Sequence, residues 1–322
     1  MPRAPACGQP GVVLAGAARL WLKRAGEAGM IGIDWGTSSF RAFRLDGSGG
    51  LRDQRAAPRG ILAVEGGRFE EEMLRQVGDW IADGERRVLM CGMIGSRQGW
   101  QEAPYVPCPA GSEELAAALV RVPCDGAAVL LVPGLTGSDA AGTPEVMRGE
   151  ETQIVGALAG TAGTALACLP GSHSKWARVA DGRIVGFETY FTGEAFAALR
   201  GHTILGRLMR EAPTDPAAFD RGVARAGEGG HLLHHLFGVR TLGLFGRLGE
   251  AAAAAYLSGL LIGHEVRAAL PAGGGPVHLI GAGALCDLYA RAIAACGARP
   301  SVQDADAAAR GLARLGRDAA WQ

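Results

Sequence analysis

Lysine is almost missing from this 322-residue chain: of its 32 basic residues only Lys23 and Lys175 are lysine. The 32 acidic residues cancel the basic ones, so there is no net positive charge to draw in nucleic acid. Long apolar runs are also lacking. Nothing approaches the ~20 continuous apolar residues that cross a bilayer, and no membrane partner is expected. The seven cysteines, Cys7, Cys91, Cys108, Cys124, Cys168, Cys286 and Cys296, are scattered, odd in number and without a C-x-x-C pair. That excludes a disulfide framework, argues against structural zinc and fits reduced thiols in a cytoplasm. Glycine, in contrast, is abundant at 51 residues, against a usual ~7%. The length suits two domains, each able to bury its own core.

Residues 1–29 stand apart. Their short apolar segment, Val12 to Leu22, precedes its positive charge at Lys23-Arg24, the reverse of a signal peptide. Met30 directly precedes the first strand-like run, so residues 1–29 are expected to lie outside the fold.

That run, Ile31 to Asp46, reads as strand, polar loop, strand: a β-branched start, then Asp34, Gly36, Thr37, Ser38 and Ser39, then a second apolar stretch. Glycine lets backbone approach a ligand closely, and successive N–H groups in such a turn form an anion-binding nest. Asp34 at the end of the first strand is suited to Mg²⁺, which keeps most of its water and needs few carboxylates. No Gly-Lys-Ser/Thr follows, excluding a Walker loop, and a strand rather than a helix comes next, excluding a dinucleotide fingerprint. The pattern resembles the first phosphate loop of the sugar kinase, Hsp70 and actin superfamily.

Further along, helical periodicity spans Phe69 to Ala82. A buried strand over Val88 to Ile94 feeds a polar and aromatic loop, Gly95 to Tyr105. Ser112 is placed to cap a helix reaching Val120. A strand at Ala127 to Val132 follows, and Arg148-Gly149-Glu150-Glu151 opens a helix to about Leu158. The second half begins as the first did: a strand at Ala165 to Leu169, a small polar loop from Pro170 to Lys175, then a hairpin turning at Asp181-Gly182. Helices are expected over Gly193 to Met209, Ala251 to Leu270, Ala284 to Ala295 and Asp304 to Leu315, with a strand at Pro276 to Ile280 ending in Gly281-Ala282-Gly283. Strand, phosphate-like loop and hairpin thus occur once in each half, as in a duplicated domain.

Four constellations carry chemistry. Ser172, His173, Ser174 and Lys175 place two hydroxyls, an imidazole and an ammonium on one loop, suited to phosphoryl positioning. Glu150 and Glu151 sit where a helix dipole favours carboxylates, and either could accept a proton from a sugar hydroxyl. Gly281 and Gly283 permit close approach at a strand–helix junction. Arg97, Arg148, Arg200 and His202 are candidate anion partners. Lys175 stands out by composition, because arginine serves nearly everywhere else and a broad planar fork does not replace a compact ammonium beside a phosphate.

Six stretches together resemble the 2-dehydro-3-deoxygalactonokinase family of actin-like sugar kinases. They are Ile31–Asp46, Cys91–Ala110, Val146–Leu158, Leu169–Val179, Phe191–Arg207 and Val277–Ala290, in order from residue 30 to near the end. Ser172 stands where threonine is expected, which keeps the hydroxyl. The resemblance implies an α/β fold of two ribonuclease-H-like, actin-like ATPase domains, residues 30–148 and 149–322, with nucleotide in the cleft between them. It implies ATP-dependent phosphorylation of the C6 hydroxyl of 2-dehydro-3-deoxy-D-galactonate, a small-molecule sugar acid, with Mg²⁺ at Asp34. Gly36, Thr37 and Ser38 would then line one phosphate side and Ser172 to Lys175 the other, with Gly281 and Gly283 near adenosine. Glu150 would be the base, Glu151 remaining open, and Arg97 on the Gly95–Tyr105 loop would meet the substrate carboxylate, with Arg148 as a second substrate contact. A homodimer is compatible with it. A kinase for a related acid such as 2-keto-3-deoxygluconate, and an actin-like ATP-driven switch without kinase activity, are the alternatives.

Overall fold

A computed structural model describes residues 29–209, 215–303 and 306–321. The expectations for residues 1–28 and for a helix start at Asp304 lie outside these residues.

The first half runs β1 (Met30–Trp35), β2 (Phe40–Leu45), β3 (Leu51–Ala57), α1 (Phe69–Ala82), β4 (Arg87–Cys91), β5 (Tyr105–Pro107), α2 (Ser112–Ala117), β6 (Val120–Val122), β7 (Ala128–Leu131), β8 (Gly134–Ser138) and β9 (Pro144–Met147). β1 is buried at every position, as a central strand covered on both faces must be. It pairs antiparallel with β2 and parallel with β4, giving a sheet in the order β3-β2-β1-β4-β7-β6. α1 buries Phe69, Met73, Val77 and Trp80 against one sheet face and carries three glutamates in its first turn, at the positive end of its dipole.

The second half runs α3 (Glu150–Leu158), β10 (Thr164–Leu169), β11 (Ser174–Ala180), β12 (Arg183–Tyr190), α4 (Thr192–His202), α5 (Pro216–Ala226), α6 (Leu232–Leu244), α7 (Glu250–Ala269), β13 (Pro276–Leu279), α8 (Ala284–Ala295), β14 (Arg299–Val302) and α9 (Ala307–Asp318). Its sheet order is β12-β11-β10-β13-β14, with β10 antiparallel to β11 and parallel to β13. An antiparallel three-strand meander followed by two parallel strands therefore appears in both halves. This is the duplicated ribonuclease-H-like, actin-like architecture that the sequence led us to expect.

The two halves share a middle layer. Helices α3 and α9 form one buried cluster with residues of both sheets, among them Leu89, Val132, Ala167, Ala177, Leu312 and Leu315. Separate clusters fill the outer faces of the first and second sheets. Close approach of the two helices depends on glycine: a Cβ on Gly156 would stand 1.8 Å from the Ala307 carbonyl oxygen, and one on Gly311 1.9 Å from that of Thr152. The last helix thus returns to pack on the first sheet, so a division at residues 148/149 does not follow the packing. α2 also departs from expectation. Gly111, not Ser112, is its N-cap; Glu114 accepts the Gly111 N–H at 2.8 Å, and the chain leaves the helix at Ala117 to form edge strand β6.

Candidate active site

The ends of β1 and β11 and the start of α3 converge where the halves meet. Asp34 is 8% exposed, near the end of β1. Its register partner on β2 is Arg41, whose guanidinium pairs with one Asp34 carboxylate oxygen. Beyond it, Thr37 and Ser38 are exposed and Gly36 half-buried. The Gly36 N–H donates to Ser39 O at 2.9 Å, and Gly36 O accepts from Ile61 N–H at 3.0 Å, which holds the loop in shape.

Two glycines bring α3 to this strand end. Gly149, with φ 105°, caps α3, and Gly92, with φ 93°, follows β4. Both lie in the left-handed region that favours glycine. A Cβ on Gly149 would stand 3.1 Å from Gly92 Cα, and one on Gly92 would stand 3.3 Å from Asp34 Oδ1. The start of the helix therefore comes up directly behind Asp34.

The two glutamates there separate in role. Glu151 is wholly buried and turned back: it accepts the Gly149 N–H at 2.6 Å and the Thr152 hydroxyl at 2.9 Å. Burial, and then the charge of Glu150, push its carboxyl up to about 7. Glu150 is half-buried and accepts the Arg148 N–H at 3.0 Å. Burial raises its proton affinity, the Lys175 charge lowers it and the Asp34 charge raises it. Glu150 thus feels both Lys175 and Asp34, whereas Glu151 faces the helix start.

Lys175 is 6% exposed; Nζ donates to Val146 O at 2.8 Å and to Thr189 Oγ1 at 2.9 Å. Burial lowers its proton affinity, opposed by Glu150 and then Glu145. The loop before it is shorter than expected, because Ser174 and Lys175 already belong to β11. Strand alternation sends them to opposite faces. Ser174 is fully buried and bonded to the Tyr289 hydroxyl at 3.0 Å, so its hydroxyl does not join the loop surface. Ser172 and His173 remain exposed on that surface. His173 Nε2 lies 2.6 Å from Glu194 Oε2, and its ring stacks on Phe191.

Gly281 and Gly283 have φ of 146° and 76° and lead into α8. Beside them opens a cavity of about 530 Å³, lined among others by Gly171, Gly193, Phe196, Ala284, Leu285 and Leu288. It runs from the second loop to the start of α8, and its size and apolar walls suit a small flat ligand.

Of the candidate anion partners, Arg97 faces outward, with an 86% exposed side chain paired with Glu102 at 3.0 Å. Arg200 and His202 stand in the last turn of α4. Arg148 is 9% exposed and donates through Nη2 to Ala103 O at 2.8 Å, with the Tyr105 ring 4.4 Å from its Cζ. Sequence reasoning missed Glu265, which accepts Trp176 Nε1–H at 2.8 Å and the Tyr289 hydroxyl at 2.7 Å beneath the second loop. Its signal was a single acid within the apolar run Leu260 to Val266.

A family model described as 2-keto-3-deoxy-galactonokinase matches residues 34–315. The chain is 40% identical over 298 residues to the probable 2-dehydro-3-deoxygalactonokinase DgoK1 of Rhizobium meliloti (strain 1021), covering 90% of this chain and 96% of that one. It is 34% identical over 236 residues to the 2-dehydro-3-deoxygalactonokinase of Escherichia coli (strain K12), covering 73% of this chain and 78% of the relative. Among solved structures, a candidate 2-dehydro-3-deoxygalactonokinase from Sinorhizobium meliloti superposes with a TM-score of 0.81 at 37% identity, covering 89% of this chain and 96% of the other.

Proposed function

The chain belongs to the 2-keto-3-deoxy-galactonokinase family, and from that premise we propose that it transfers the terminal phosphoryl group of ATP to the C6 hydroxyl of 2-dehydro-3-deoxy-D-galactonate in galactonate catabolism. The observation that carries this reading is the meeting of Asp34, Glu150 and Lys175 between the two halves.

Phosphoryl transfer asks a protein mainly for position and charge. Glu150 is the base: raised by burial yet kept ionisable by Lys175, it takes the proton of the attacking hydroxyl as the new oxygen–phosphorus bond forms and the bond from that phosphorus to the bridging oxygen breaks, ADP leaving with the electron pair. Lys175 supplies a buried positive charge to the phosphate side. Gly36, Thr37 and Ser38 bound the phosphates from the first loop, and Ser172 and His173 from the second. The cavity beside Gly281 and Gly283 takes adenosine. Arg148 and the Gly95–Tyr105 loop form the acceptor side, with Arg97 at its rim.

The donor set fits Mg²⁺. Asp34 offers a hard carboxylate oxygen, and no cage of three or more His, Cys, Asp or Glu ligands gathers among the described residues, in keeping with an ion that completes its shell with water and nucleotide phosphates. When bound, Mg²⁺ offsets charge on the transferring phosphate.

No helix among the described residues is long and apolar enough to cross a membrane. Their six cysteines are all free, which suits a reducing, cytoplasmic setting. A homodimer, with which the resemblance is compatible, would show as twice the monomer mass in solution. The test of function is ADP release with a panel of 2-keto-3-deoxy sugar acids and neutral hexoses. Fastest turnover is expected with the galactonate, slower turnover with its gluconate epimer. A preference for neutral hexoses, or ATP hydrolysis indifferent to any acceptor, would overturn the reading.

A further inference from the structure

We propose that Arg148 is the carboxylate anchor of the acceptor site, which deepens the kinase reading and rests on it. No carboxylate pairs with the Arg148 side chain among the described residues. Arg148 is 9% exposed, and its Nε and Nη1 are buried without a hydrogen-bond acceptor. Nη2 alone has one, the neutral Ala103 carbonyl. A buried guanidinium is ordinarily paired, because desolvating the charge and leaving its N–H groups unmatched is expensive. Even more exposed guanidiniums are matched where they meet a buried carboxylate: Arg41 with Asp34, and Arg59 and Arg75 with Glu72. An anionic ligand is the group that would match Arg148.

The position fits one end of a six-carbon acid. Arg148 lies two residues before Glu150, and its backbone N–H holds the Glu150 carboxylate. An acceptor whose terminal hydroxyl meets Glu150 can extend its C1 carboxylate toward the Arg148 side chain. Charge-assisted hydrogen bonds to a carboxylate are the interaction for which arginine is suited. Gly95 adds no side chain next to this group: even a Cβ there would stand 3.1 Å from Nη1. Tyr105 lies over the guanidinium face but is itself 41% exposed, so its ring is a thin cover between that face and solvent. Arg97, solvated and paired with Glu102, has no comparable need of an anion, and the carboxylate role expected of it passes to Arg148.

The test compares two acceptors: the 2-keto-3-deoxy acid and the matching 3-deoxy-ketohexose, in which a hydroxymethyl group replaces the carboxylate. The native enzyme is expected to prefer the acid in kcat/KM by on the order of 10²–10³-fold, the usual worth of a buried charge pair. In Arg148→Met that ratio should collapse toward one, with the acid losing far more than the neutral acceptor. Arg148→Lys, which keeps the charge and loses the fork, should give an intermediate ratio and carries the comparison if the methionine variant does not fold. Equal losses on both acceptors, with the ratio preserved in either active variant, would overturn the assignment and make Arg148 a structural residue. Native enzyme that phosphorylates neither acceptor would instead overturn the kinase reading, and this inference with it.

Discussion

Lys175→Met isolates the electrostatic part of the site. Methionine keeps an unbranched stem of similar length and removes the ammonium. In the native protein Lys175 is the one attractive charge on Glu150 among its chief influences, opposing burial and the Asp34 carboxylate; the neighbouring Glu151 carboxyl is itself raised by Glu150. An opposite charge at close range lowers a carboxyl by about 1–3 pH units. Because Glu150 must be ionised to act as base, kcat/KM falls as pH drops through its value, and the native acid limb should already lie above the ordinary carboxylate range. Removing Lys175 should move that limb further up, so the variant loses most at the acid end of the range and recovers partly at the alkaline end. The substitution also leaves the Val146 carbonyl and the Thr189 hydroxyl without their donor, a cost of about 1–3 kcal/mol, so thermal unfolding is followed alongside. Lys175→Arg should keep the limb where it is while lowering kcat/KM, since a larger planar group must enter a site only 6% exposed. The assay is ADP release across pH 5.5 to 9 at saturating ATP. An acid limb that coincides in native and Met variants would refute the coupling, whatever happened to the rate.

Glu150→Gln should lower kcat by about 10²–10⁴-fold with ATP and acid binding nearly intact; single-turnover kinetics showing an unchanged chemical step would remove Glu150 from the mechanism. Glu151→Gln should instead act on stability. A carboxyl raised from 4.5 to about 7 in the folded state contributes stability in full below 4.5 and loses it as pH rises through about 7, so the variant's Tm relative to native should climb between pH 5 and pH 8; a constant difference would contradict the buried carboxyl. Gly311→Ala, placing a methyl 1.9 Å from the Thr152 carbonyl oxygen, should cost about 1–3 kcal/mol in denaturant unfolding, and a neutral effect would mean that α3 and α9 slide apart freely. Glu265→Gln leaves one acceptor for the Trp176 and Tyr289 donors; a Tm loss with weakened ATP binding is expected, and unchanged ATP affinity would separate this network from the nucleotide cavity.

Much of the frame was legible because local pattern and burial agree. The strand from Met30, buried on both sides, reads as an unbroken apolar start, and Asp181-Gly182, with φ of 48° and 75°, is the hairpin turn its residues predict. The helices Phe69–Ala82 and Ala284–Ala295 fall where periodicity puts them. Less was legible where small residues do the packing: the buried face of α9 is mostly alanine and glycine, and the helix runs on to Asp318, three residues past its expected end at Leu315. The helix Pro216–Ala226 went unread although Asp215 caps it and Pro216 occupies its first turn, and Leu232–Leu244 has apolar residues without a clean face. In the site, Asp34, Glu150 and Lys175 were recoverable from motif and composition. Ser174 was misplaced because a shift of one residue in where a strand begins decides which face a side chain takes. The empty N–H groups of Arg148 had no sequence signal at all, since the contact with Ala103 spans 45 residues.

The site belongs to neither half alone. Asp34 comes from the first sheet and Lys175 from the second, while Glu150 begins a helix buried against both. The close approach of Gly156 and Gly311 binds that helix to α9, which itself packs on the first sheet. The Gly92–Gly149 contact fixes the start of α3 behind Asp34, and the bond from Lys175 to Val146 ties the second sheet to the strand leading into Arg148. Glu150 therefore takes its repulsion from one half and its attraction from the other. Any rotation of the halves changes that balance directly, so the proton affinity of Glu150, the proposed base, and the geometry of the cleft are set by the same packing.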